Sequence, residues 1–570
     1  MRGDLVRKMA ARCLTAGLAV LAFLALGLTS ATWWGLALTT GAVASAWVER
    51  RIRPKTDLVA ESILLAAGIL VAYARQIPGG FHWTLALTAA ALLGLILLER
   101  PLREAGALEI RSANLDVRGP RLPGPDGLGT VILVLLVALA AGAAVELPAW
   151  SAMLATLLVG AGGAGIVVPM ARRRLKPSAA HGRVGQALRR HRPEFLLHFS
   201  APPGSEYQVT MWLPYLERIG RPFVVVLREP EFLAPIAAAT RAPVVFCPTL
   251  PALDEIMVPS LKVAFYVNHG AKNSHCIRFP QLTHIQIHHG DSDKAPSANP
   301  VTAIFDKNFV AGQAAIDRYA RAGVRIPPEK FVIVGRPQVE SIEVTTRHVR
   351  DAAPKVVLYT PTWTGHYADA NYCSLPVGET LLQRLLARGV TVLLRAHPYT
   401  GQNPQSARQL ARLEELLAAD RARTGRQHMW GAQTAGKMTL VECVNRSDAL
   451  VSDVSGVISD YLYSGKPYAV TDMVDDGDRF AERFPLARGG YVLRPDMSNI
   501  DSALDRLLDE DPLEDVRRRL RSHYLGDFPA ESYADGFLDA ARAFLGPQTE
   551  APPEQRSAAP AEPRLSPANG

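Results

Sequence analysis

Apolar positions along the chain follow two different rhythms. Through residue 170 they gather in six long runs, at roughly 14–29, 32–48, 58–74, 82–98, 130–146 and 150–170, with one or two polar interruptions each. A helix rises ~1.5 Å per residue and a bilayer core is ~30 Å thick, so six such runs in series predict membrane-spanning helices. From about residue 193 the runs shorten and become rich in Val, Ile and Phe, bounded by Pro or Gly, which predicts buried strands alternating with helices. Strands are expected at Phe195–Phe199, Pro222–Leu227, Val244–Cys247, Val263–Val267, Ile285–His288 and Val332–Val334. After a polar bridge at 341–354 come Val356–Tyr359, Val392–Arg395, Ala449–Val451 and Tyr468–Val470, with helices expected at 206–219, 312–322, 378–388, 404–419, 456–464 and 502–521. Two successive βαβ arrays imply two doubly wound α/β halves facing a cleft.

The expected organisation is a membrane domain over 1–170 with about six transmembrane helices, and a basic juxtamembrane segment over 171–192. A first Rossmann-like half over 193–345 forms the acceptor side, a second over 346–546 the nucleotide donor side, and a Pro-, Ala- and Glu-rich tail over 547–570 is expected to be disordered.

Charge changes the picture once it is divided by region. The net charge of +8 splits into +4 for 1–170, +8 for 171–192 and −4 for 193–570. A basic folded domain is absent, which removes nucleic acid as a partner. The connections 1–13, 49–57, 99–129 and 171–192 carry 4, 4, 5 and 8 Lys+Arg, while the opposite set carries Arg75 alone. The positive-inside rule then makes the chain a multi-pass cell-membrane protein with a cytoplasmic C-terminal catalytic domain, its basic flank touching anionic membrane lipids. Cys13, Cys247, Cys276, Cys373 and Cys443 form no CxxC pair and no ligand spacing, so neither zinc nor a disulfide is expected. No GxGxxG, GxxxxGK[ST] or GxSxG motif occurs in the α/β region.

Polar clusters instead follow the expected strands. His288-His289-Gly290-Asp291-Ser292-Asp293-Lys294 puts a histidine at a strand tip, where it can act as a general base or sit in a capped surface loop. Asp291-Ser292-Asp293 is also a D-x-D, the metal–nucleotide signature of one class of glycosyltransferase. Thr360-Pro361-Thr362-Trp363 suits contacts to phosphate and to base or ribose, and Arg395-Ala396-His397-Pro398 can neutralise a diphosphate without a metal. Ser455-Gly456 stands where a helix would open, with Asp460 on its first turns.

Together these clusters resemble the CDP-glycerol glycerophosphotransferase family, which includes teichoic acid glycerol phosphate polymerases and primases. That family carries W-H-G-T-P-L-K, G-x-P-R, A-P-T-W, an H-P pair and T-D-Y-S-S-V-x-x-D before K-P. The counterparts are His288–Lys294, Gly335-Arg336-Pro337-Gln338, Thr360–Trp363, His397-Pro398 and Ser452–Asp460, with Lys466-Pro467 following. The likeness spans about 190–545. It implies a GT-B-like fold and transfer of glycerol phosphate, or a related polyol phosphate, from a CDP-linked donor to a lipid-linked or polymer acceptor, with release of CMP. No cofactor or obligatory metal is implied. On this mapping His289 and His397 are catalytic. Lys294, Arg336, Thr360, Pro361, Thr362, Trp363, Arg395, Ser455, Gly456 and Asp460 bind the donor. The chain departs from the family at Asp291-Ser292-Asp293 for Thr-Pro-Leu, Gly456 for the second serine and Gln338 for the arginine. The alternative is a GT-B nucleotide-sugar glycosyltransferase for an envelope or capsular polysaccharide.

Overall fold

The protein is described by a computed structural model covering residues 2–52, 56–78, 82–117, 127–175, 182–365 and 371–547. Nearly all of the tail expected at 547–570, and Lys176 of the basic flank, lie outside these residues. The chain divides into two compact units, Met1–Arg190 with Cys247–Met257, and His191–Phe246 with Val258–Gly570.

In the first unit each apolar run falls on a helix: α1 (Arg2–Leu28), α2 (Thr32–Ile52), α3 (Val59–Arg75), α4 (Trp83–Ala107), α5 (Leu128–Ala144) and α6 (Ala149–Leu175), with a three-residue strand β1 (Arg111–Ala113) after α4. Helix α1 packs on α2 and α3, α2 on α5, and α4 on α6. Small side chains permit the close approach: Ala19, Ala22 and Ala42 are buried, and a Cβ on Gly68 would lie 3.1 Å from the Cα of Phe23. Two stretches are long and apolar enough to cross a membrane, Met9–Leu28 with mean hydropathy 2.0 and Trp83–Glu104 with 1.7; Leu128–Ala144 and Ala149–Gly165 are shorter.

The second unit is built on two sheets. Seven of its strands are ordered β4-β3-β2-β5-β6-β7-β8, from β2 (Phe195–Phe199), β3 (Phe223–Leu227), β4 (Val244–Phe246), β5 (Val263–Tyr266), β6 (Thr283–Gln286), β7 (Lys307–Val310) and β8 (Phe331–Ile333). The other sheet runs β10-β9-β11-β12-β13, from β9 (Val356–Thr360), β10 (Thr391–Leu394), β11 (Ala449–Ser452), β12 (Tyr468–Thr471) and β13 (Tyr491–Leu493). The ladders among these strands are parallel. Strand order reverses between β2 and β5 and again between β9 and β11, and open parallel sheets bind ligands beyond the strand C-termini at such points.

Several expectations shift. The ladder of β6 covers Thr283–Gln286 and not Ile285–His288, so His288 has left the sheet. Strands β7 and β13 were not anticipated, because Lys307-Asn308 and a three-residue run give little apolar signal. The helix expected at 502–521 breaks into Ile500–Asp505, a π-turn at Arg506–Glu510, and Glu514–Leu525, with Asp511 in the left-handed region at φ +46°. The last helix, Asp535–Leu545, returns to the first sheet: Phe537, Leu538, Ala541 and Leu545 share a core with Phe195, Leu197 and Phe265. A second core joins Ala311 and Ala314, beyond β7, to Leu358 and Leu450 of the other sheet.

Gly312 starts the helix Gln313–Arg321 where it meets the end of Glu514–Leu525, and an added Cβ would lie 2.5 Å from the carbonyl oxygen of His523. This obstacle and the Tyr524 carbonyl oxygen at 2.7 Å are backbone, so Gly312→Ala is expected to destabilise the protein by about 1–3 kcal/mol, read as a lower midpoint in urea unfolding.

Candidate active site

Beyond β6 the backbone turns sharply at His288, whose φ of +56° is uncommon for a residue with a Cβ and disfavoured by roughly 1–2 kcal/mol. Two hydrogen bonds hold the turn. The Trp212 indole N–H donates to the His288 carbonyl at 2.6 Å, and the His288 N–H donates to Gln286 Oε1 at 3.2 Å. This aims His289 back at β5, where its Nδ1 lies 2.6 Å from the carbonyl oxygen of Val267. A carbonyl can only accept, so the ring proton is on Nδ1 and Nε2 keeps its lone pair. Burial lowers the pKa of His289, and the Arg336 charge adds to this against the opposing Val267 hydrogen bond. The imidazole is therefore neutral at pH 7, as a general base must be.

The acidic residues that follow are engaged within the protein. Arg318 forms an ion pair with Asp291, and its Nε lies 3.7 Å from Asp293 Oδ1. The Tyr524 hydroxyl donates to Asp293 at 3.0 Å, and the Leu486 N–H donates to Asp293 Oδ2 at 3.0 Å. Burial raises the Asp293 pKa, against the charge of Arg318. The two charges that set this motif apart from the family thus form a cluster around one arginine. Lys294, next in sequence, reaches toward the second sheet: its Nζ lies 3.4 Å from Thr362 Oγ1 and 5.2 Å from the ring centre of Tyr372.

The second sheet contributes at its own reversal point. Thr360 ends β9 and donates to Ser452 Oγ on β11 at 2.8 Å. The carboxylate of Asp453 accepts from the Thr362 N–H at 2.6 Å, the Ser374 N–H at 3.1 Å and the Thr471 hydroxyl at 2.7 Å, which holds the loop Pro361-Thr362-Trp363 in place. Its complete burial raises its pKa, and those hydrogen bonds oppose the rise. The Pro361 carbonyl accepts from the His397 N–H at 3.2 Å, and the Trp363 ring stacks on His397 with centroids 6.0 Å apart and planes 25° apart. Tyr399 sets its edge against both rings and its hydroxyl lies 3.1 Å from Ser205 Oγ, beyond β2. The Tyr399 N–H donates to His397 Nδ1 at 3.1 Å. Here Nδ1 must accept, so the proton of the neutral ring is on Nε2. The two histidines are held in opposite tautomers, one offering a lone pair and the other an N–H.

The remaining expected residues fall differently. Arg336 and Asp460 pair with each other, Nε and Nη2 of the guanidinium donating to the two carboxylate oxygens, the second at 3.1 Å, with both residues buried. Arg395 turns its Nη1 to the backbone carbonyls of Thr434 and Met438, the latter at 2.8 Å, so that nitrogen holds the 433–438 turn. Ser455 occupies the N-cap of Gly456–Leu462 without a capping hydrogen bond, and its hydroxyl lies 3.2 Å from Ser452 Oγ. A Cβ on Gly456 would lie 3.2 Å from the Asp291 carbonyl oxygen, which also accepts from Ser459 Oγ at 3.0 Å. Glycine therefore stands where that helix presses on the loop after β6. Asp453, Tyr399, Trp212 and Arg318 escaped the sequence reading; Asp453 lay inside a named cluster, whereas the other three act through contacts distant in sequence.

Beside His289 opens a cavity of about 270 Å³, bordered by Trp212, His269, His288, Arg318, Arg336 and Gln338. Burial depresses several histidines of this unit: His269 to about 4, with His289 adding to it, His397 to about 4, with Lys294 adding to it, and His198 to about 3. Unfolded, these rings take up protons as the pH falls through about 6.5, whereas the folded state resists until lower pH. Stability is therefore complete above pH 6.5 and expected to fall between about pH 6.5 and 4, measured as a thermal midpoint that drops on acidification.

Residues 330–476 match the model of the family described as CDP-Glycerol:Poly(glycerophosphate) glycerophosphotransferase. No curated protein matches the chain. Among solved structures, a UDP-N-acetylglucosamine 2-epimerase from Listeria monocytogenes is 13% identical, with a TM-score of 0.42 and coverage of 61% of this chain and 95% of the other. The wall teichoic acid polymerase TagF is 12% identical, with a TM-score of 0.41 and coverage of 66% and 96%. S. aureus MnaA in complex with UDP is 14% identical, with a TM-score of 0.42 and coverage of 63% and 98%. These likenesses are too distant to speak to chemistry.

Proposed function

We propose, from the family match over residues 330–476, that this chain is a CDP-glycerol glycerophosphotransferase-like enzyme, a membrane-bound transferase of teichoic-acid-like polymer synthesis. It moves glycerol phosphate or a related polyol phosphate from a CDP-linked donor to a lipid-linked or polymer acceptor. The observation that carries the reading is the pair of opposite tautomers at His289 and His397. An acceptor hydroxyl attacks the β-phosphate: its oxygen forms the new P–O bond while the P–O bond to CMP breaks. His289 Nε2 takes the hydroxyl proton, and the Nε2–H of His397 donates to the phosphate oxygens as charge moves onto them. Lys294 adds a positive charge near Thr362, and the loop of Thr360, Pro361, Thr362 and Trp363 serves the nucleotide side with Ser455 and Gly456. Arg336, Asp460 and Arg395 shape the donor site through the contacts they make within the protein. The engagement of Asp291 and Asp293 with Arg318 weighs against a D-x-D metal role and hence against the nucleotide-sugar alternative.

The membrane part of the reading is a multi-pass domain built on α1 to α6, with the GT-B-like catalytic unit in the cytoplasm. Two features support it. Large apolar side chains such as Leu87, Val134, Leu154 and Leu158 are exposed on these helices, a surface that water disfavours and lipid suits. The ion pairs Arg12–Glu61, Arg50–Glu99 and Arg100–Asp57 gather near the start of α1, the end of α2, the start of α3 and the end of α4, adjoining the Lys/Arg-rich connections. Membranes holding the full chain should convert radiolabelled CDP-glycerol to CMP and labelled lipid-linked product; CMP formation absent with every CDP-linked polyol would sink the proposal.

A further inference from the structure

The departures from the family motifs are not scattered. His288 stands where the family carries the Trp of W-H-G, and Gln338 where it carries the Arg of G-x-P-R. Both border the same cavity of about 270 Å³ next to His289. Both also hold buried polar atoms without a hydrogen-bond partner: Nε2 of His288, and Nε2 and Oε1 of Gln338. Asp291 Oδ2 and Arg318 Nη2, on the same wall, are likewise unpartnered. Buried polar atoms are ordinarily paired, so several orphans around one chamber call for a ligand that pairs them. The left-handed backbone at His288 is a further sign, because such strain collects at sites where a side chain must be delivered to a ligand.

Charge narrows the ligand class. The arginines bordering the chamber already have carboxylate partners, Arg318 with Asp291 and Asp293, and Arg336 with Asp460. A phosphate would find only the unpaired Nη2 of Arg318, beside the negative charges of Asp291 and Asp293, without displacing them. An amide, with two donors and an acceptor, and an imidazole on the wall of the same chamber match alcohols, which both donate and accept. Gln338 puts a neutral hydrogen-bonding edge where the family carries its arginine, while Arg336, two positions earlier, is held by Asp460.

We infer that this chamber is a specificity pocket for an uncharged polyhydroxyl group, read by His288 and Gln338, that seats the polyol beside His289. The inference rests on the transferase reading above. The polyol is either the one carried by the CDP-linked donor or the terminal one of the acceptor, since both meet at the base.

The test uses the full-length chain in membranes, as wild type, Gln338→Ala, Gln338→Arg and His288→Ala. One arm compares kcat/KM for CDP-glycerol and CDP-ribitol with a single acceptor. The other compares glycerol-phosphate-ended and ribitol-phosphate-ended lipid acceptors with a single donor. Loss of one buried hydrogen bond to a hydroxyl is expected to shift the ratio of the two polyols by about fivefold or more, in one arm, and that arm identifies the source of the polyol. A ratio unmoved in both arms, with variants whose thermal midpoints match wild type, overturns the pocket while CMP release keeps the transferase reading intact. Should the variants fold poorly, free glycerol and free ribitol are titrated against wild-type transfer: competitive inhibition by one of them is expected, and inhibition by neither overturns the proposal. A wild type that releases CMP from no CDP-linked polyol removes the transferase reading and the pocket with it.

Discussion

His289→Ala is expected to lower the rate of CMP release by about two to four orders of magnitude, the range supplied by a positioned general base. The loss should fall on kcat more than on KM, because the Nε2 lone pair acts when the acceptor proton leaves and contributes little to holding the donor. Steady-state kinetics on membranes, with CMP measured directly, give the answer; full transfer by the alanine variant would refute the assignment. The pH profile provides an independent check. Burial keeps the His289 pKa below its ordinary value, so the base holds its lone pair to lower pH than a free imidazole. The acid limb of the rate profile should therefore be centred below the ordinary histidine value of about 6.5. A decline centred above pH 7 would mean that some other group supplies the base.

The second large effect is on stability. Asp460→Ala leaves the buried Arg336 guanidinium without its carboxylate, and breaking one side of a buried ion pair is destabilising by about 3–5 kcal/mol. Urea unfolding should show it as a reduced midpoint with little change in slope. The double variant Arg336→Met with Asp460→Leu removes both charges and is expected to recover most of that stability, since apolar replacements of buried pairs are often neutral. Transfer is not expected to recover with it if, as proposed, the pair also shapes the donor site. A double variant as active as wild type would reduce the pair to a scaffold.

How much of this was legible in the chain depended on how local each signal was. The strand runs rich in Val and Phe were read nearly to their ends, because burial on both faces of a parallel strand leaves an unbroken apolar word. The histidine clusters were also visible, since a polar group straight after such a run sits at the C-terminal end of a strand. What could not be read was pairing across the molecule. Nothing near Arg336 announces that its partner is Asp460, 124 positions on, or that the hydroxyl of Tyr524 will meet Asp293 from 231 positions away. For that reason the sequence presents Arg336 and Asp460 as two separate site residues and hides their ion pair, and it presents Asp291-Ser292-Asp293 as a D-x-D without showing the arginine, Arg318, that pairs with it. The tautomers of His289 and His397 were illegible for the same reason: each is set by a single backbone group that the fold brings alongside.

The return of Asp535–Leu545 to the first sheet has a consequence for synthesis on the ribosome. The strands β2 to β8 are complete by Ile333, yet Phe537, Leu538, Ala541 and Leu545, which finish their core, emerge some two hundred residues later. At ~5–20 residues per second that interval lasts about 10 to 40 s, during which the core around Phe195 and Phe265 has only the earlier helical residues such as Trp212, Leu216 and Ile236 against it. The first sheet is translated early and its core is completed last, which leaves part of its apolar surface open to chaperones until the end of the chain emerges.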